Sequence, residues 1–497
     1  MSARRAVPAL LFLGALLVSA ITLRRTLDPF DEGLLLQAAS RIAAGEWPYA
    51  DFGWAYGPGH PLAGALVFEL GEPTVVAWRV VRAVADASVA VLVWWLVRAQ
   101  GASGRWALAA GAAAALTMAQ PTTANPFAVA FALSLGALAC AARRRTVPAA
   151  LLVALAAFWR PDFGLAAGLA VVAALALGGV PRRDVLRGAA AGAAALAMLL
   201  LPFAAAAGPG ALAEALVLDA TRDGAAWRLP FPLLYDGPVR AAHLLEDGKD
   251  LLAYELPVLG VIGLALAGAA AASRRPPHPV AAGLLVLALG GLAYLLGRAD
   301  DLHQQPLLVA VCALAAGLAP RAPRPLAVAL VVVLAMIGLA GAANLASSVL
   351  RPPAGERLHL PGVPGILVAP EEARALPALV RDVQARVPPG EPIYVAPRRS
   401  DLVTLTDPLL HFLVRRPNVL RDDAQVLNDP RVQREVVASL RADPPRVVVR
   451  WTDRRSARPE ANERGRPSGA TALDDFLAER YRLAARHGAY DVLVPRD

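Results

Sequence analysis

A single lysine, Lys249, stands in a chain of 497 residues, and it has only two cysteines, Cys140 and Cys312. Two thiols set in apolar stretches exclude a disulfide framework, and without a CxxC pair there is no thiolate metal site. Charged residues make up 18% of the chain, against about a quarter in an ordinary soluble domain. HExxH, GxSxG and the phosphate-binding P-loop pattern are all missing. Their absence argues against a zinc protease, a serine hydrolase and a nucleotide-driven pump. The net charge of +9 rests almost wholly on arginine. Those arginines are spread over loops and the C-terminal region without an aromatic-interleaved patch, so nucleic acid is not an expected partner.

What the chain has in excess is hydrophobicity. Apolar residues make up 57% of it and the mean hydropathy is +0.48. They come in long blocks rather than periodic stripes, the pattern of a polytopic protein of the lipid bilayer. Blocks long enough to span lie at 6–23, 74–97, 105–120, 125–142, 186–206, 251–272, 279–297, 305–319 and 325–346. The block 147–180 is interrupted by Arg160-Pro161-Asp162 and is too long for one helix, so it reads as two. This predicts about 11 transmembrane helices. Residues 6–23, behind Arg4 and Arg5, read as a retained signal anchor.

Arginine distribution supports the count. Arg98 and Arg105, Arg143 to Arg145, Arg182, Arg183 and Arg187, Arg274 and Arg275, and Arg321 and Arg324 all fall on the side of Arg4 and Arg5, as the positive-inside rule requires. The loop 24–73, the 120–124 turn, Arg160-Pro161-Asp162, the 207–250 loop, Gly297–Gln305 and the tail then lie outside. The expected fold class is mainly α: a multi-pass membrane domain over 1–346 with first outer loop 24–73, then a small extracytoplasmic α/β domain over 347–497. In that tail, strand-like runs at Ile393–Ala396, Arg446–Trp451 and Tyr490–Val494 alternate with helical patterns at 371–386, 431–442 and 472–486. Residues 453–470 read as a mobile loop, and the pairs Asp422-Asp423 and Asp474-Asp475 as solvated surface.

The chemistry concentrates in residues 28–60, DPFDEGLLLQAASRIAAGEWPYADFGWAYGPGH. Asp31 and Glu32 open a short amphipathic run (Leu34, Leu35, Ala38, Ile42), and an aromatic, turn-rich segment with Tyr56 follows. Ionisable groups this close to a bilayer are costly, which makes function their default reading. The competing reading is structural, since acidic residues cap helix N-termini and complement the macrodipole. Arg160 and Arg298 break the positive-inside pattern. Either they snorkel to head groups, or their forked donors hold a lipid-linked phosphate. Asp162, Asp300, Asp301 and His303 stand beside them, as partners of those arginines or as ligands of a divalent metal ion.

An Asp-Glu pair just past the first span, followed by Gly45-Glu-Trp-Pro-Tyr49-Ala-Asp-Phe52 and Tyr56-Gly-Pro-Gly59, resembles the first outer loop of the GT-C superfamily of glycosyltransferases. Protein O-mannosyltransferases and lipid A aminoarabinose transferases are relatives, as are bacterial proteins labelled dolichyl-phosphate mannosyltransferase-like. The resemblance covers about residues 1–346, and Gly297-Arg-Ala-Asp-Asp-Leu-His303 is similar to an outer-turn motif of the bacterial members. It implies a hexosyl- or pentosyltransferase of the cell membrane that uses a polyprenyl-phosphate-linked sugar donor and an envelope glycan, lipid or protein acceptor. Sugar transfer would proceed with inversion at the outer face. Asp31 would be the general base with Glu32 beside it, and Arg160, Arg298, His303 and Tyr56 would bind substrate or phosphate. Two alternatives remain: a lipid-linked glycan transporter or flippase, and an enzyme like the O-antigen ligases and polymerases. A transporter should show paired interrupted helices, whereas one interruption is seen here, and the ligases carry their large loop between late spans.

Overall fold

The computed structural model describes residues 3–119, 127–219, 228–231, 237, 239–273, 277–350, 354–423 and 429–496. The expected turn at 120–124, Arg274-Arg275 and part of the 207–250 loop lie outside the described residues. The chain is mainly helical. Helix α1 (Ala3–Ala20) leads into a loop that carries two short helices, α2 (Asp31–Ala43) and α3 (Gly59–Leu70). Next come α4 (Val75–Ala99), α5 (Gly104–Met118), α6 (Phe127–Ala142), α7 (Thr146–Trp159), α8 (Pro161–Leu177), α9 (Arg182–Ala207) and a short α10 (Pro209–Ala213). The membrane part closes with α11 (Leu244–Ala272), α12 (Pro279–Gly297), α13 (Gln305–Leu318) and α14 (Arg324–Leu350). Five of these, α4, α9, the Tyr254–Ala272 stretch of α11, α12 and α14, are long and apolar enough to cross a membrane. Helices α6, α7, α8, α13 and the Ala6–Ala20 stretch of α1 are apolar but shorter.

Proline sets the first of the breaks that matter. Pro161 has no backbone N–H and disfavours helical geometry in the residue before it. Accordingly α7 stops at Trp159, and Arg160 takes an extended conformation (φ −150°, ψ 112°) before α8 begins. The second break has the same backbone without the proline: α12 ends at Gly297 and Arg298 is extended (φ −157°, ψ 114°), while Pro306 lies only in the first turn of α13. Each arginine therefore occupies a bend between apolar helices instead of a helix face. The core beneath is built from Phe127, Phe131, Leu135, Leu284 and Leu307, with Cys312 buried inside it and Cys140 against its edge.

The C-terminal part begins with a two-stranded antiparallel pair, β1 (Glu356–Arg357) and β2 (Leu367–Val368), followed by α15 (Pro370–Arg386). Strands β3 (Tyr394–Ala396), β4 (Val448–Trp451), β5 (Tyr481–His487) and β6 (Tyr490–Pro495) form one sheet in the order β3-β4-β6-β5. The β3–β4 pairing is parallel, and β6 runs antiparallel to both β4 and β5. Helices α16 (Leu409–Val414), α17 (Pro430–Ala442) and α18 (Ala472–Arg480) complete it. The helix expected over 472–486 therefore ends at Arg480. Its second half pairs in register with β6, and that hairpin outweighs local helical pattern.

The first loop and the tail are one packed body. Leu35, Leu36, Phe52 and Trp78 share a core with Val363, Leu409, Phe412 and Val492. Backbone bonds stitch the two together: Thr26 N–H donates to Leu367 O (2.9 Å), Leu367 N–H to Arg24 O (2.8 Å) and Leu409 N–H to Pro29 O (3.1 Å). Gly33 is required where α2 meets α16, because a Cβ there would lie 2.3 Å from Leu409 N. Two acidic pairs read as solvated are also drawn in. Asp423 is ion-paired with Arg41 at 3.2 Å and nearly buried, and Asp474 pairs with Arg450 at 2.9 Å while accepting from the Ser400 hydroxyl.

Candidate active site

The adjacent acids Asp31 and Glu32 have separate surroundings. Glu32 is fully buried and takes a two-point bond from Arg79 on α4, Nε to Oε1 and Nη2 to Oε2, each at 2.6 Å. Arg79 spends its other donors on the carbonyls of Leu23, Arg25 and Thr26. Glu32 is thereby the clamp that fixes the start of the loop on α4, which withdraws it from the reactive pair the sequence suggested. Nor is Asp31 the helix cap. That work falls to Asp28, whose Oδ1 accepts from the Phe30 and Asp31 N–H groups at 3.0 Å each, while Glu32 Oε2 reaches back to the Asp28 N–H at 3.4 Å. The reciprocal arrangement is close to a capping box. It leaves the Asp31 carboxylate, among the described residues, with no hydrogen bond or ion pair of its own.

Asp31 is exposed at its surface yet set in a dense part of the protein, with Asp28, Asp300, Arg298 and Arg464 near enough to act on its charge. Burial within the protein mass, together with the charges of Asp28 and Asp300, pushes its carboxyl up to about 7, and Arg298 and Arg464 only partly oppose this. Accessibility and desolvation pull in opposite directions here. One edge of the carboxylate meets water, while the protein around it and the two like charges raise the cost of ionising it.

The aromatic segment brings Tyr56 to the same place. Tyr49 O–H donates to Tyr56 O (2.5 Å) and Trp54 Nε1–H to Gly57 O (3.1 Å), which folds the loop back on itself. Gly57 then presses on the end of α7, where a Cβ would lie 2.1 Å from the Phe158 carbonyl oxygen. This approach sets the Tyr56 ring 4.7 Å from the Arg160 guanidinium, which also faces Tyr294 (5.0 Å) and Phe163 (5.5 Å). Asp162 holds Arg160 by Nε (3.0 Å) and Nη2 (2.8 Å), leaving Nη1 outside that fork. Burial and the charges of Asp31 and Asp162 raise the Tyr56 phenol above its usual range, although Arg160 acts against them.

Arg298 is tied more tightly. Its Nε donates to Asp300 (2.8 Å) and its Nη2 to both oxygens of Glu460 (3.1 and 2.9 Å). Glu460 belongs to the stretch 453–470 read as a mobile loop, and Arg464 holds it as well. The loop is thus anchored to the membrane part through charge. Asp300 also accepts from the His303 backbone N–H (3.0 Å) and lies 2.6 Å from His303 Nδ1. Its own carboxyl falls to about 2, held there against burial by His303 and Arg298. The His303 ring packs on Tyr294 at 4.4 Å. Tyr56, Arg160, Asp162, Arg298, Asp300 and His303 therefore form one cluster connected through Tyr294, and Asp31 feels the charges of Arg298 and Asp300 within it. Asp301 is exposed at its edge. The metal reading of Asp162, Asp300 and Asp301 finds no support in the geometry: among the described residues, no three His, Cys, Asp or Glu side chains converge as ligands.

No protein-family model matches the sequence, and no curated protein does. Solved structures do. ArnT from Cupriavidus metallidurans bound to undecaprenyl phosphate superposes with TM-score 0.57 over 99% of this chain and 98% of that one, at 15% sequence identity. The fold is that of ArnT. The same protein in the apo state matches with TM-score 0.52 at 15% identity and equal coverage. The likeness in fold is not confined to residues 1–346, since the ArnT match covers nearly the whole chain, the C-terminal part included.

Residues missed at the sequence level complete the picture. Asp28 and Arg79 position the loop, and Arg82 and Asp86 continue the charged face of α4 inward. Asp86 accepts from Ser19 (2.8 Å) and Arg82 donates to Thr22 (3.1 Å), both near the end of α1. The signal was present: three ionisable residues at i, i+3 and i+7 of an otherwise apolar span lie on one face.

Proposed function

We propose that this protein is an integral-membrane glycosyltransferase that moves a sugar from a polyprenyl-phosphate donor to an extracytoplasmic acceptor, with Asp31 as general base. The observation that carries the reading is the unequal fate of the acidic pair. Glu32 is consumed by Arg79, whereas the Asp31 carboxylate stands uncommitted within reach of Tyr56, whose ring helps to box Arg160. In the reaction, the Asp31 carboxylate takes the acceptor hydroxyl proton as its oxygen bonds to the anomeric carbon from the face opposite the donor phosphate. The bond from that carbon to the phosphate oxygen breaks, the configuration inverts, and polyprenyl phosphate departs with the electron pair. Arg160 stabilises the charge that grows on the leaving phosphate. The likeness to a fold that binds undecaprenyl phosphate supports this choice of donor.

Arg160 is favoured over Arg298 as the phosphate ligand, because Arg298 is spent on Asp300 and Glu460. Arg160→Gln is expected to slow transfer roughly 10- to 100-fold, the value of a lost charge-assisted hydrogen bond, with Arg160→Lys in between. Arg298→Gln should loosen the tail loop and act mainly through stability. Transfer rates and thermal unfolding of the three variants check this, and full activity in Arg160→Gln would reduce that residue to an interfacial anchor.

Topology is part of the proposal: about 11 spans, with the α2–α3 loop and the sheet-bearing C-terminal part both extracytoplasmic. Single cysteines at the exposed positions Glu72 and Glu463, in a background without Cys140 and Cys312, should both react with an impermeant maleimide in intact cells. Labelling of only one would break the odd span count.

A further inference from the structure

A cavity of about 620 Å³ opens at the seam between the first loop and the C-terminal part, within the roughly 300–1,000 Å³ range of small-molecule sites. Asp31 does not line it. Gln37 and Ser40 reach it from α2 and Ala44 from the residue just past its end, and at roughly 100° per residue they project from the side away from Asp31. Its floor combines polar and aromatic groups. The Gln37 side chain is buried at 3% exposure and bonds to no described residue. His411, equally buried, has its Nδ1 3.3 Å from Arg416 O, which makes Nδ1 the donor and leaves Nε2 as an acceptor. Burial lowers this imidazole to about 4, so it is neutral at physiological pH. The rings of Phe68 and Phe412, stacked 5.8 Å apart, form an apolar wall.

The charges around the cavity are largely compensated. Arg41 is neutralised by Glu46 (2.7 Å) and Asp423 (3.2 Å). Arg416 has turned its donors onto the carbonyls of Val387, Val414 and Arg415. Arg415 and Glu69 also line it. Three guanidiniums, Arg41, Arg415 and Arg416, line the cavity with Glu46 and Glu69, and Asp423 behind the lining pairs with Arg41, so little positive field is left to attract an anion such as a phosphate. An amide, a neutral imidazole, a hydroxyl and an aromatic wall are suited to hydroxyl groups and C–H faces.

We propose that this cavity is a second binding site, separate from the transfer site, for a neutral oligosaccharide. The amide of Gln37 and Nε2 of His411 would bond sugar hydroxyls while the Phe68–Phe412 wall packs on a ring face. The site exists whether or not sugar transfer occurs at Asp31, so the two are tested separately. Full-length protein in nanodiscs free of sugar detergents is titrated with maltotriose, mannobiose and lactose, and with glucose 1-phosphate as the anionic probe, by saturation-transfer difference NMR. At least one neutral probe should bind in preference to the anion. Gln37→Leu, and Ala44→Trp at the exposed rim where folding is not at risk, should each weaken that binding at least tenfold. Asp31→Asn should leave it unchanged. No binding by any neutral probe, preference for the anionic one, or indifference to Ala44→Trp would each overturn the proposal. Loss of binding in Asp31→Asn alone would assign the sugar to the transfer site instead.

Discussion

Asp31→Asn is expected to lower sugar transfer by about 10²–10⁴-fold, the usual cost of removing a general base, while leaving the protein folded and inserted. The stability half of that prediction follows from the local geometry. A cap lost from a helix costs about 0.5–2 kcal/mol, but the cap of α2 belongs to Asp28, and Asp31 contributes to it only a backbone N–H. Asparagine keeps that N–H, the side-chain volume and a polar oxygen, and gives up only the ability to take a proton. The substitution also removes one of the negative charges crowding Asp28 and Asp300, so thermal stability should hold or rise slightly. Transfer rate and unfolding temperature, measured on one preparation, check both halves. Turnover within a factor of a few of wild type would show that the proton goes elsewhere.

Glu32→Gln should have the opposite profile: a large loss of stability. Breaking a fully buried ion pair leaves an uncompensated charge and costs about 3–5 kcal/mol. Here the stranded charge is Arg79, which is fully buried with its remaining donors on three carbonyls. Replacing both partners, as in Glu32→Gln with Arg79→Met, should recover only part of the loss. The apolar side chain removes the stranded cation but abandons the carbonyls of Leu23, Arg25 and Thr26, which must then find water or go unpaired. Thermal unfolding in detergent of the single and double variants tests this. A single variant as stable as wild type would mean that the pair does not hold the loop to α4. The contrast between neighbours is the diagnostic feature, since Asp31→Asn should affect rate and Glu32→Gln should affect folding.

The sequence was most legible where local chemistry is decisive. Long apolar runs announce membrane helices, and Pro161 and Pro306 mark where they break. The placement of Arg160 at a bend follows from Pro161, whereas Arg298 sits at the end of α12 with no proline beside it. Asp31 and Glu32 are visible as an unusual pair, but their division of labour is not, because it depends on Arg79, 47 residues away in sequence. The same limit explains Asp423 and Asp474, which look like surface acids until Arg41 and Arg450 arrive from distant segments. It also explains the end of α18. A helical pattern running to 486 is readable in the sequence, whereas the β6 partner that claims Tyr481–His487 as strand becomes apparent only when the hairpin closes. The anchoring of Glu460 by Arg298 spans 162 residues and has no local signature.

The most direct test of the central claim is the pH dependence of transfer by the purified wild-type protein. Single-turnover discharge of a labelled polyprenyl-phosphate sugar to acceptor would be followed between pH 5 and 9. The reactive form of the base is the carboxylate, and burial with like charges holds the Asp31 carboxyl at about 7. The rate should therefore climb as pH rises through that value and level off above it, with the rising limb abolished in Asp31→Asn. A rate that is flat from pH 5 upward, or a limb that persists in Asp31→Asn, would contradict the assignment of Asp31 as the base.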